Sequence, residues 1–124
     1  MWKKNWPVLL SSLLLTGCTA TFTNLTPQQQ ARSANNFYPV EVAFNSQQQS
    51  LIWGSIKPTV VVGGEALPMR QTPLMSNRWE GLVPVGPGAN SVFFHYKFDF
   101  EYRDFGGPKS DSAHSPEYRL QIRD

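Results

Sequence analysis

From residue 37 onward, apolar and polar side chains alternate in short runs separated by turn residues. Tyr38, Val40, Val42 and Phe44 interleave with Pro39, Glu41, Ala43 and Asn45, the period of two expected of a half-buried strand. The polar stretch at residues 45–50 reads as a turn. Residues 51–57 and 59–62 are rich in β-branched side chains, and Pro58 between them predicts an edge or a break. Gly63 and Gly64 close that run. Residues 66–71 make a short strand candidate and residues 79–85 a stronger one, while residues 85–91 supply a loop of hairpin length. Residues 117–123 alternate again. No stretch keeps a helical period over three turns.

The longest run is SVFFHYKFDFEYRDFGG, residues 91–107, with aromatics at Phe94, Tyr96, Phe98, Phe100 and Tyr102. Leaving five aromatics in water would forgo about 10 kcal/mol, comparable to the stability of a small domain, so most of the row is core, Phe94, Tyr96 and Phe98 above all, with Tyr102 and Phe105 open between packing and binding. The intervening Lys97, Asp99, Glu101 and Arg103 then form a ladder of opposite charges on the solvent face. At ~3.3 Å per residue, residues 92–103 span about 40 Å, twice an ordinary strand, so one end must project, bend or be covered by another segment. Phe22 and Leu25 are candidates for that cover. About seven short strands with regularly spaced turns predict an all-β, immunoglobulin-like β-sandwich over residues 37–124.

Residues 1–20, MWKKNWPVLLSSLLLTGCTA, place Lys3 and Lys4 before an apolar run at residues 8–15 and then small side chains, the layout of a bacterial export signal. The run is about half of the roughly 20 residues a membrane-spanning helix needs. Within it, Leu15-Thr16-Gly17-Cys18 resembles the lipobox of bacterial lipoproteins. That resemblance implies a signal peptide over residues 1–17, cleavage before Cys18, a diacylglyceryl group on its thiol and acylation of the new amino terminus. Several acyl chains hold a protein stably on a bilayer where one holds it weakly. Because Asp after the cysteine is an inner-membrane retention signal in diderm bacteria, Thr19 implies the outer membrane. The competing reading is ordinary secretion with cleavage after Ala20.

Cys18 is the only cysteine, so no intramolecular disulfide supports the fold. Without Lys3 and Lys4 the chain has nine basic and nine acidic side chains. A neutral domain lacks the basic face that phosphate backbones demand, which weighs against nucleic acid as a partner. Residues 18–36, rich in Thr, Gln and Asn, read as the lipidated cysteine and a tether, with a short edge strand around Phe22 and Leu25 as the alternative.

Arg78-Trp79-Glu80-Gly81-Leu82-Val83-Pro84-Val85, followed by Tyr96-Lys97-Phe98, resembles early-set immunoglobulin-like domains, among them starch- and glycogen-binding ones. The chain as a whole is similar to small bacterial lipoproteins that carry one such domain. The resemblance implies the sandwich, and makes a carbohydrate-binding module the alternative function. Sugar-binding members present exposed tryptophans, and after removal of the signal only Trp53 and Trp79 remain.

Chemistry is thinly represented. His95 and His114 lack metal-ligand spacing to a second His or Cys, so neither metal nor cofactor is expected. Asp99 and Glu101 could act as acid and base, but flanking cations favour the charge ladder. Ser110, Asp111, His114 and Ser115 crowd one segment without the separate rigid elements of a catalytic triad. The expectation is a non-enzymatic, lipid-anchored envelope component. Residues 105–117 read as its longest loop, and Tyr102, Phe105, Lys109, Asp111 and His114 are the candidate contacts for an envelope protein or glycan.

Overall fold

The computed structural model describes residues 20–124; the expected signal segment, the lipobox and Cys18 lie outside them. Ten strands are present, with no helix among the described residues: β1 (Ala20–Asn24), β2 (Gln29–Ala31), β3 (Phe37–Ser46), β4 (Leu51–Val62), β5 (Glu65–Pro68), β6 (Arg70–Gln71), β7 (Arg78–Pro84), β8 (Ser91–Asp104), β9 (Gly107–His114) and β10 (Tyr118–Arg123). They form a four-stranded sheet, β1-β3-β7-β6, packed against a six-stranded sheet, β2-β10-β8-β4-β5, in which β9 also pairs with β8. Every pairing is antiparallel except β2 with β10. The all-β sandwich expected from the alternation is present.

The core lies between the sheets. Tyr38, Val40, Val42 and Phe44 of β3 meet Phe94, Tyr96, Phe98 and Phe100 of β8, with Val60, Trp79, Val83 and Leu120 filling the space between. Phe44 and Phe98 have ring centroids 5.0 Å apart across the gap, and Trp79 meets Phe98 edge-on at 5.1 Å. Edge-to-face and tilted contacts of this kind add to what burial alone contributes.

Several expectations change. The tether is largely absent, because β1 pairs with the end of β3, Ala20 opposite Ser46 and Phe22 opposite Phe44, and Phe22 seats its ring 5.1 Å from that of Phe98. The edge-strand alternative is therefore the one the chain takes, and Ala20–Asn24 belongs to the sandwich together with the residues from 37 onward. Residues 51–62 form one strand with no break at Pro58, which sits where β5 has ended and β4 becomes a sheet edge, its carbonyl accepting from Met69 N at 3.0 Å. Residues 66–71 divide at the buried Met69, β5 staying in the six-stranded sheet and β6 crossing to the four-stranded one.

The longest predicted loop is the largest correction. Residues 107–114 are β9, in register with β8 from Asp104 opposite Gly107 to Lys97 opposite His114. Phe105 and Gly106 make the two-residue turn, and Gly107 holds φ at 110°, a value side chains resist. The overlong β8 is thus covered in two halves, by β10 along its first residues and by β9 along the rest.

Candidate functional site

The β8–β9 ribbon carries the five residues expected to touch a partner and divides them, three on one face, one on the other and one at the turn. Tyr102 stands directly opposite Lys109, and Asp111 opposite Phe100, all on one face of the ribbon. His114 is opposite Lys97, on the other face, and Phe105 is at the turn, wholly exposed at 108%. Tyr102 is half-buried against the core, whereas Lys109 and Asp111 are exposed.

The structure does bring His95 and His114 together, with ring centroids 6.3 Å apart. Register alone accounts for this, since Lys97 pairs with His114 and His95 is the next residue on the same face. Among the described residues no group of three or more His, Cys, Asp or Glu could hold a metal ion. Asp99 and Glu101 lie on the same outer face as His95, in a shallow hollow of about 420 Å³ shared with Lys57 and Ser112. Lys97 Nζ is 3.9 Å from Asp99 Oδ1, the first rung of the expected charge ladder, and Ser112 Oγ also donates to that carboxylate. The Ser115 hydroxyl instead serves the backbone: Tyr96 N donates to Ser115 Oγ at 2.8 Å, and Ser115 Oγ donates to Pro116 O at 2.8 Å.

A larger concavity lies elsewhere. A groove of about 1190 Å³ runs from residues 25–31 across β3 and β7 to the β5–β6 corner. Its floor is the outward face of the four-stranded sheet, where alternation turns Pro39, Glu41, Glu80 and Leu82 away from the core. Leu25 and Pro27 flank one side, Pro68 and Met69 the other, and Arg70 pairs with Glu80 at 2.7 Å on the rim. Sequence reasoning missed this groove. Its one signal was Leu82, an apolar residue at an outward position of a strand.

Two polar devices hold the groove wall in place. Glu41 N donates to Thr26 Oγ1 at 2.9 Å, and Leu25 N donates to Glu41 O at 2.9 Å, which fixes the segment between β1 and β2. Behind them the Tyr96 hydroxyl lies 2.7 Å from Asn24 Oδ1 and 3.1 Å from Thr26 Oγ1. Burial pushes the Tyr96 phenol far above its ordinary range, and the Thr26 contact opposes this only in part.

A second hollow of about 650 Å³ is lined by Trp53, Ile56, Gln71, Ser76 and Trp79. Trp53 is 45% exposed and packs edge-on against Phe44 at 6.3 Å, whereas Trp79 is buried. Trp53 sits in an irregular stretch of β4 between residues 52 and 57, where Ser55 Oγ accepts from Glu101 N at 2.8 Å and donates to Ile52 O at 2.6 Å.

No helix among the described residues is long and apolar enough to cross a membrane. Comparison with protein-family models, with curated proteins and with solved structures finds no match.

Proposed function

We propose that the chain is a lipoprotein, anchored through Cys18 in the outer membrane, whose immunoglobulin-like sandwich acts as a non-enzymatic binding component of the envelope. The strand order supports the immunoglobulin-like type: with β1, β3, β7 and β6 taken as A, B, E and D, and β4, β8 and β10 as C, F and G, the two sheets follow the ABED and CFG arrangement. Phe44 on β3 and Phe98 on β8 then join the two strands that antibody domains link by a disulfide. The anchor rests on the lipobox-like Leu15-Thr16-Gly17-Cys18.

One observation carries the binding role: the groove over Pro39 and Leu82. The outer face of a sandwich sheet is normally polar, yet here Leu82 is 54% exposed in a concave site with proline and leucine walls and a charged rim. Concave apolar surface with a few placed polar groups is what a ligand or an extended protein segment needs. Leu82→Glu tests this, since an exposed substitution should leave stability within about 0.5 kcal/mol. Crosslinking of the acylated protein in its own envelope should then lose the adduct that the unaltered chain gives. An unchanged adduct would move the partner surface off the groove.

The carbohydrate-binding alternative is favoured by Trp53, a half-exposed indole beside Gln71 and Ser76, since stacking on an aromatic with nearby amide and hydroxyl groups suits a sugar ring. Glycan binding that changes the Trp53 emission and is abolished by Trp53→Ala would support it over the groove.

A further inference from the structure

The two most exposed large apolar side chains of the described residues are Leu74, at 104%, and Phe105, at 108%. Both stand at the tips of turns, and both turns are at one end of the sandwich. Asn77, just after the Leu74 turn, bonds Asn45 at 3.3 Å, and Asn45 pairs with Thr21. On the other sheet, Arg103 N donates to Ser50 O at 2.9 Å, so the β8–β9 turn lies at the same end as the loop that leaves β3 at Ser46. Ser46 is the partner of Ala20. The chain therefore enters the sandwich at the same end where Leu74 and Phe105 protrude.

Leu74 is also in the wrong backbone conformation for a leucine. Met75 N donates to Thr72 O at 3.1 Å, with Pro73 and Leu74 at the centre of the turn and Leu74 at φ 66°. Proline followed by a left-handed residue is a type II turn, which calls for glycine or asparagine at the second place. A leucine there strains the backbone and buries nothing. Folding gives no reason for it, and an apolar surface outside the protein does.

We infer that this end of the sandwich is a membrane-contact face, with Leu74 and Phe105 seated at the headgroup–acyl boundary of the phospholipid bilayer that holds the Cys18 lipid. The inference rests on the anchor proposed above. Cys18 is two residues before Ala20, so at most about 7 Å of chain separates the acylated residue from the sandwich. With so short a link the domain lies against the bilayer rather than hanging from a tether. Arg103 and Lys109 flank the Phe105 turn within reach of lipid phosphates, with Asp104 between them turned back on its own ribbon, where its carboxylate accepts from Phe105 N at 2.8 Å. Phe105 and Lys109 thus face lipid rather than a protein or glycan. The groove, centred on Pro39 and Leu82 some seven residues up β3 from Ser46, is held about 20 Å clear of the surface.

The test uses the full chain acylated in cells, its Cys18 lipid verified by mass, and reconstituted into vesicles of phosphatidylethanolamine and phosphatidylglycerol. A single added cysteine carries a polarity-sensitive fluorophore at residue 74, 105 or, as controls at the opposite end, 37 or 93. Labels at 74 and 105 should shift to the blue, be quenched by brominated lipid and be several-fold less accessible to aqueous iodide than those at 37 and 93. Equal iodide quenching at all four positions on an acylated chain would overturn the contact face while leaving the anchor intact. A chain without lipid on Cys18 would overturn the anchor and the inference together. Leu74→Gly, which relieves the strained turn, should be as stable as the unaltered protein or more so and should weaken contact at residue 105; lower stability would show that Leu74 serves the fold.

Discussion

Phe98 and Lys97 are neighbours on β8 with opposite fates, one fully buried between Phe22, Phe44 and Trp79 and the other on the solvent face beside Asp99. Phe98→Ala should cost about 3–5 kcal/mol and Lys97→Ala no more than about 0.5 kcal/mol in chemical denaturation. Tyr96 adds a pH dependence. Below about pH 10 the folded and unfolded chains both keep the phenolic proton; above it the unfolded chain releases the proton while burial makes the folded chain retain it. Stability therefore falls as pH rises past 10, and the more weakly raised Tyr118 adds in the same direction. Denaturation at successive alkaline pH values should show the decline, and Tyr96→Phe should remove most of it. The inward aromatics were legible because alternation and the cost of exposing rings both pointed one way. The Tyr96 hydroxyl network was not, because Asn24 and Thr26 are some seventy residues away and no local pattern links them.

At the level of elements, strands with a buried face were readable and strands without one were not. β9 shows why: GPKSDSAH has only Ala113 packed against the core, since the strand lies at the edge of its sheet. A polar edge strand resists pairing with other chains, and for the same reason it carries no alternating signal. Gly106-Gly107 was the available clue to a hairpin. β2, three residues long, left no trace at all, while β1 was visible in the Thr-Phe-Thr alternation around Phe22. Because Phe22 touches Phe44, Tyr96 and Phe98, β1 is a working wall of the core. Phe22→Ala should lower stability by about 2 kcal/mol in thermal or chemical denaturation. A loss no larger than that of Lys97→Ala would mean that β1 only rests on the sandwich.

On the scale of the whole molecule, the roles proposed above give the sandwich two directions. One end receives the chain from Cys18 and bears Leu74 and Phe105; the outer face of the four-stranded sheet, further from that end, bears the groove. The groove escaped the sequence because it is assembled from five separate segments that no local pattern links. Both directions take their meaning from the anchor, so the N-terminus of the native protein is the decisive place to look. Intact-mass and peptide mass spectrometry of the protein extracted from its own envelope should find a chain beginning at Cys18 with a diacylglyceryl thioether and an acylated amino group. An unmodified chain beginning at Thr21, cut inside β1, would contradict the account.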